Sequence, residues 1–161
     1  MSYPDPVARV MGVDVGSARV GIALSDEMGL TARPFRTIPR RGTRGTARTL
    51  AELAAAEGAG RIVVGLPLGM DGGEQASSAD ARDVAEALRA ECSLEVILWD
   101  ERLTSAQAER ALIEGNMRRD RRRQLIDQVA AAILLQSFLD MEGTADRGSA
   151  PGPAGGERKA R

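Results

Sequence analysis

Near the start of the chain, residues 10–24 read VMGVDVGSARVGIAL, and the fold is assigned outward from this stretch. Val10–Val15 is an apolar run that contains one acid, Asp14, and Arg19–Leu24 is a second strand-like run. Between them, Gly16-Ser17-Ala18 has the composition of a turn. The stretch therefore predicts a β-hairpin with a carboxylate inside its first strand.

The remaining segments continue in a regular order. A third strand is expected at the edge of the sheet, because its proline cannot donate a ladder hydrogen bond. Apolar periodicities then alternate between helix and strand. The predicted elements after the hairpin are a strand at Ala32–Ile38, a helix at Thr46–Glu57, a strand at Arg61–Gly65, a helix at Ala76–Arg89, a strand at Leu94–Trp99, and helices at Thr104–Glu114 and Arg123–Met141. Three antiparallel strands followed by two crossover units predict an α/β fold with a mixed five-stranded sheet and helices on both faces.

The chain of 161 residues has the length of one domain. We assign residues 1–9 to an N-terminal extension and 10–142 to the domain. Residues 143–161, rich in Gly, Pro, Ser and charge, form a tail predicted to be disordered. No apolar run approaches the roughly 18 residues of a bilayer span, and the N-terminus lacks the apolar segment of a signal peptide. We therefore expect a cytoplasmic protein without a membrane partner.

The chain contains no histidine. Imidazole catalysis and His-ligated zinc are both excluded, so any metal has to be held by carboxylates and carbonyls. Such oxygen ligands suit Mg²⁺ or Mn²⁺.

Three acids occupy positions where a carboxylate can serve chemistry. Asp14 points from its strand to the face opposite Val13 and Val15, and a buried carboxylate needs a cation, hydrogen bonds or a metal. Glu101 follows the fifth strand, at the sheet edge where open α/β folds bind ligands. Asp127 lies in the last helix. Each acid also has a purely structural explanation. Asp14 could bond to the following turn, Glu101 could interact with a helix dipole, and Asp127 could lie on a solvated helix face. Together, three carboxylates can hold two divalent ions that hydrolyse a phosphodiester.

Arginines are concentrated in two stretches. Residues 33–48 contain six arginines and no acid, and residues 117–124 contain five arginines and one aspartate. Such patches make phosphate contacts, although solvated helix faces are the alternative interpretation. With aromatic residues at only 2%, a base-stacking platform is not expected, so the patches favour recognition by shape. The arginines predicted to bind nucleic acid are Arg40, Arg41, Arg44, Arg102, Arg118, Arg119, Arg121 and Arg122.

From Val10 to Glu142 the chain resembles the bacterial YqgF/RuvX family. The motifs that carry the resemblance are Gly12-Val13-Asp14-Val15-Gly16 with Gly21, Thr31-Ala32-Arg33-Pro34, Val64-Gly65-Leu66-Pro67-Leu68 with Met70-Asp71-Gly72, Asp100-Glu101-Arg102-Leu103-Thr104-Ser105, and Ile126-Asp127-Gln128-Val129-Ala130-Ala131. The resemblance implies an RNase H-like fold with strand order 3-2-1-4-5. It also implies catalytic and metal-binding roles for Asp14, Glu101 and Asp127, the acids already selected, and a homodimer.

One departure and one geometric question accompany the resemblance. Gly69 stands where members of the family often have asparagine, which removes a polar contact from that loop. In strand order 3-2-1-4-5, Glu101 ends the outer strand, a full strand away from Asp14. It reaches the site only through its longer side chain or through closure around a metal. Asp71, in the loop after the fourth strand, is the substitute ligand if Glu101 does not reach.

The resemblance implies a divalent-metal-dependent nuclease that cuts structured RNA, branched DNA or both. The reactions in question are 5′-end maturation of pre-16S rRNA and resolution of Holliday junctions. The alternative is a non-catalytic nucleic-acid-binding module, which has no need of three acids. A third interpretation is a phosphotransferase, because residues 14–17 also resemble the phosphate loop of the actin and sugar-kinase fold. That fold needs two such domains and a far longer chain.

Overall fold

The computed structural model describes residues 8–69, 71–103 and 119–149, and in the last range it describes side chains for residues 125–143. In chain order the elements are β1 (Arg9–Val15), β2 (Arg19–Ser25), β3 (Ala32–Pro39), α1 (Thr43–Ala56), β4 (Ala59–Leu66), α2 (Ala76–Glu91), β5 (Glu95–Asp100), a 3-10 helix (Glu101–Leu103) and α3 (Arg119–Ser149).

The strands form one mixed sheet in the order β3-β2-β1-β4-β5, which confirms the predicted order 3-2-1-4-5. Strand β2 pairs antiparallel with both β1 and β3, whereas β4 pairs parallel with β1 and with β5. The hairpin needs only a short turn, while each parallel step is made by a crossover through a helix. The carboxyl ends of β1, β4 and β5 consequently lie at the same edge of the sheet.

The two faces of the sheet carry separate apolar clusters, because side chains alternate along each strand. On one face, Met11 and Val13 of β1 join the larger cluster with residues of α1 and α2, such as Leu50 and Leu88. On the other face, a smaller cluster contains Val10, Ala23 and Val63 of the sheet together with Ala131, Leu135, Phe138 and Leu139 of α3. The prediction of helices on both faces is therefore confirmed.

Helix α3 lies close to the sheet and is tied to it by polar contacts. A Cβ atom on Gly12 of β1 would fall 2.8 Å from Cβ of Leu135, so the glycine allows this close approach. The Gln136 side chain accepts a hydrogen bond from the backbone N–H of Ala32 at 2.8 Å and donates to the carbonyl of Leu30 at 3.0 Å.

A salt bridge joins the far part of α3 to β4. Arg61 donates two hydrogen bonds to the Glu142 carboxylate, one of them from Nη2 to Oε1 at 2.8 Å. The hydrogen bond from Arg61 lowers the pKa of Glu142 below its usual value. The same guanidinium lies 5.4 Å from the centre of the Phe138 ring.

The boundaries of several elements differ from the sequence-based expectation. Helix α1 begins at Thr43 rather than Thr46, and it ends before Gly58, whose φ of 73° suits glycine. Helix α3 continues to Ser149, beyond Gly143 where the tail was predicted to begin. The helix predicted at 104–114 and the rest of the predicted tail, residues 150–161, lie outside the described residues. Within the described part of the chain, no helix combines the length and apolarity of a membrane span.

Candidate active site

The candidate site is centred on Asp14, near the end of β1. Asp14 shares a face with Val10 and Gly12, so its side chain projects toward α3, and it is half-buried there. Asp14 is paired in register with Gly21 of the antiparallel neighbour β2. Directly opposed residues of this kind have Cα atoms about 4.5–5.5 Å apart.

Gly21 lets the backbone of Asp127 lie directly over β2, the strand beside Asp14. A Cβ atom on Gly21 would overlap the backbone carbonyl of Asp127 and would lie 3.1 Å from its Cα. The turn of α3 that carries Asp127 therefore rests directly on β2, one strand away from Asp14. Only a residue without a side chain leaves space for this contact.

Gly65 has the same role on the other side of Asp14, in β4. The register pairs Val13 with Val64, so Gly65 lies one position further, beside Asp14. A Cβ atom on Gly65 would lie 2.6 Å from Oε2 of Glu101 and 3.1 Å from its Cγ. The Glu101 side chain thus extends from the end of β5 back over β4. The missing side chain at Gly65 lets the carboxylate lie over β4, the strand that separates β5 from Asp14.

Asp127 is held by a cation. Its Oδ2 accepts a hydrogen bond from Nε of Arg19 at 2.6 Å, and the side chains are 24% and 38% exposed respectively. Arg19 begins β2, immediately after a turn in which the N–H of Gly16 donates to the Arg19 carbonyl at 2.8 Å. Sequence reasoning missed Arg19. The signal was available, because Arg19, Gly21 and Ala23 alternate onto the α3 face of the hairpin.

The donor atoms around the site are carboxylate oxygens, which match the preference of hard divalent cations. Among the described residues, however, no group of three acids lies close enough together to hold a metal ion as it stands. Asp127 faces Arg19 instead. The donor chemistry therefore fits a divalent metal, although one oxygen of Asp127 is engaged by the Arg19 guanidinium in this structure.

Asp71, the substitute ligand, is exposed and closes its own loop. Its Oδ1 accepts a hydrogen bond from the N–H of Gly73 at 2.8 Å. Gly72, with a φ of 84°, completes this turn. A Cβ atom on Gly69 would lie 3.0 Å from the same Oδ1, so the small residue at position 69 leaves room for this carboxylate.

The predicted phosphate-binding arginines divide into anchored and exposed ones. Arg40 is only 16% exposed and donates to the carbonyl of Gly16 at 3.2 Å and to Asp80 at 3.1 Å, and its hydrogen bond lowers the pKa of Asp80. Arg41 and Arg44 are exposed.

Arg102 is also paired with an acid. It binds the Asp100 carboxylate, with Nη2 at 2.6 Å from Oδ2, and its hydrogen bond lowers the pKa of Asp100. Arg118 and the side chains of Arg119, Arg121 and Arg122 lie outside the described residues.

Comparison with known proteins agrees with this architecture. The family model described as "RuvX: Holliday junction resolvase" matches residues 8–141. A protein from Pelotomaculum thermopropionicum named "Putative pre-16S rRNA nuclease" is 45% identical over 136 residues, covering 84% of this chain and 88% of the relative. A protein of the same name from Moorella thermoacetica is 45% identical over 135 residues, covering 84% of this chain and 96% of the relative.

Two solved structures share the fold. RuvC of T. thermophilus in complex with a Holliday junction substrate superposes with a TM-score of 0.54 at 17% identity, covering 84% of this chain and 96% of that chain. The Fowlpox virus Holliday junction resolvase has a TM-score of 0.50 at 14% identity, covering 83% of this chain and 99% of that chain. The fold is RNase H-like. From the family match and the identity of its relatives, we conclude that the chain belongs to the RuvX (YqgF) family.

Proposed function

We propose that this protein is a divalent-metal-dependent endonuclease that hydrolyses phosphodiesters of structured nucleic acid, with Asp14, Glu101 and Asp127 as its catalytic acids. One observation carries the proposal. Glycines on the two strands that flank Asp14 leave space for the other two acids, Asp127 over Gly21 and Glu101 over Gly65. These two contacts support a site to which three separate elements contribute acids on one face of the sheet, at one end.

The three acids would hold Mg²⁺ or Mn²⁺, and such an ion supplies an activated water and stabilises the leaving oxygen. Asp14 is the central ligand, because it lies on the strand between the other two. Glu101 and Asp127 approach from opposite sides, so each would contribute a metal ligand from its own side of Asp14. The alternative, a non-catalytic nucleic-acid-binding module, does not explain why two flanking positions lack side chains.

The substrates are proposed from the family and its relatives. The family description names Holliday junction resolution, and the curated relatives are named for pre-16S rRNA. Both substrates are structured nucleic acids. The same three carboxylates, with bound metal, could support hydrolysis of phosphodiesters in either RNA or DNA. We assign phosphate contacts to the exposed Arg41 and Arg44, and, from the sequence, to Arg118, Arg119, Arg121 and Arg122. Arg40 and Arg102 would contact phosphate only by leaving their present carboxylate partners. A homodimer would present two such sites to a four-way junction.

The test is cleavage of a labelled ribosomal precursor RNA and of a synthetic four-way DNA junction by purified protein in Mn²⁺, Mg²⁺ or EDTA. We expect metal-dependent cutting that is lost in Asp14→Asn, while binding to the nucleic acid is largely retained. Asp83→Asn is the matched control, because Asp83 is exposed on α2, which packs on the opposite face of the sheet. Cutting that persists in EDTA, or that Asp14→Asn leaves unchanged, would contradict the proposal.

A further inference from the structure

We propose that Arg19 is an exchangeable cation of the site: it neutralises Asp127 when no metal is bound and moves to a substrate phosphate when metal occupies that carboxylate. The inference rests on the proposed function, and it goes beyond it by naming a phosphate-contacting residue and a competition between that residue and the metal.

The position of Arg19 supports the first part. The residue projects from β2 onto the same face as Asp14, and its Nε lies 2.6 Å from Oδ2 of Asp127. The guanidinium thus occupies one of the two oxygens that Asp127 can offer to a divalent cation. Two cations cannot share one oxygen at bonding distance without strong repulsion. A metal that binds this oxygen therefore competes with the guanidinium.

The exposure of Arg19 supports the second part. Its side chain is 38% exposed, whereas Arg40 at the same end of the sheet is 16% exposed and is anchored by Asp80 and by the carbonyl of Gly16. A released Arg19 guanidinium would stay beside the three acids, where the phosphate to be cut has to lie. A planar guanidinium is well suited to bind two phosphate oxygens at once.

A purely structural role explains less. Helix α3 is already held against the sheet by its apolar cluster, by the contact at Gly21 and by the hydrogen bonds of Gln136. A half-exposed ion pair adds little stability to such a packed interface. The pair is therefore not needed to dock the helix.

The first experiment measures Mn²⁺ binding by calorimetry, without nucleic acid, in wild type, Arg19→Gln and Arg82→Gln. Arg82 is a matched control, since it forms an exposed salt bridge with Glu74 on α2's side of the molecule. We expect Arg19→Gln to bind Mn²⁺ more tightly, by up to about fivefold, the size of one exposed ion pair. Arg82→Gln should match wild type. Unchanged or weaker Mn²⁺ binding in Arg19→Gln would overturn the inference.

The second experiment measures affinity for a four-way junction in a Glu101→Gln background, which is expected to keep only slow residual cutting and which keeps Asp127. At saturating Mn²⁺, adding Arg19→Gln should weaken binding and reduce the slope of log affinity against log salt by about one unit. In EDTA it should have no effect, because Arg19 is then bound to Asp127. Arg19→Lys should restore part of the affinity, since it keeps the charge but not the planar geometry.

The outcomes separate this inference from the proposed function. If wild type cuts with metal but Arg19→Gln changes neither Mn²⁺ affinity nor the salt slope, only the inference fails. If wild type neither binds Mn²⁺ nor cuts, the proposed function fails and the inference fails with it. A parallel loss of metal binding, nucleic-acid binding and melting temperature in Arg19→Gln would show a structural role instead.

Discussion

Replacing Gly65 by alanine tests the geometry of the site directly. The new methyl carbon would lie 2.6 Å from Oε2 of Glu101 and 3.2 Å from its Cδ. Non-bonded heavy atoms are in ordinary van der Waals contact at about 3.5 Å, so the carboxylate has to move by about 1 Å. A misplacement of about 1 Å in an active site can cost about a hundredfold in rate. We therefore expect Gly65→Ala to lower the single-turnover cleavage rate by about a hundredfold.

The same substitution should change stability very little. The atoms that have to move belong to the end of a flexible side chain, and Gly65 does not have a positive φ. Alanine also lowers the entropy of the unfolded chain, which favours folding by about 0.4–1 kcal/mol. We expect the free energy of unfolding in urea to stay within about 1 kcal/mol of wild type. Gly45→Ala on α1 is the control, since its Cβ would meet only Cβ of Arg41, at 3.6 Å.

A double-mutant comparison shows whether Gly65→Ala acts through Glu101. In a Glu101→Gln background the carboxylate is already lost, so adding Gly65→Ala should cause little further loss of activity. Wild-type cleavage by Gly65→Ala would refute the reasoning, because it would mean that the position of Glu101 over β4 does not matter for cutting. A further large loss in the double mutant would show that Gly65 acts by another route.

Three further predictions concern stability. Gly21→Ala should lower the free energy of unfolding in urea by about 3 kcal/mol or more, because its Cβ would overlap the backbone of Asp127 and α3 would have to shift. An unchanged free energy of unfolding would contradict the close docking of that helix. Ser25→Ala should lower the free energy of unfolding by about 1–3 kcal/mol in the same assay, because the buried N–H of Val10 donates to the Ser25 hydroxyl at 2.8 Å. Stability equal to wild type would argue against that hydrogen bond. Glu142→Gln should cost at most about 1 kcal/mol at pH 7, because its salt bridge to β4 is partly exposed. Because the pKa of Glu142 is lowered in the folded state, the stabilisation from its salt bridge is complete above the ordinary pKa of the carboxyl group. This stabilisation is lost as pH falls through the lowered pKa. A stability advantage of wild type over Glu142→Gln that persists in stronger acid would contradict this.

Much of the fold follows from local pattern. The alternation of residues 10–24 predicts the hairpin, and the spacing of apolar residues such as Leu50 and Leu88 predicts the buried faces of the helices. Periodicity of this kind depends only on neighbours a few positions away, so it is legible in one sequence. Helix ends were less predictable: α3 runs beyond Gly143, because a single glycine weakens a helix without being certain to end it.

The acids could also be selected from the sequence, because carboxylates next to apolar strands are costly unless they serve a purpose. The linear pattern did not contain the arrangement of these acids relative to one another. Glu101 was expected to be a full strand away from Asp14, and its approach over Gly65 depends on the pairing of β4 between β1 and β5. The alternation of β2 places Arg19 on the α3 face, but it does not identify Asp127 as its partner.

Composition, periodicity and the spacing of acids therefore sufficed for the class of fold and the candidate carboxylates, and the family resemblance implied the strand order. The glycine pair around Asp14, the partner of Asp127 and the anchoring of Arg40 by Asp80 emerged only from the folded chain. Arg19 and Asp127 are 108 positions apart, and their contact depends on sheet register and on how α3 docks. Such contacts are set by the packing of whole elements, which no short window of sequence contains.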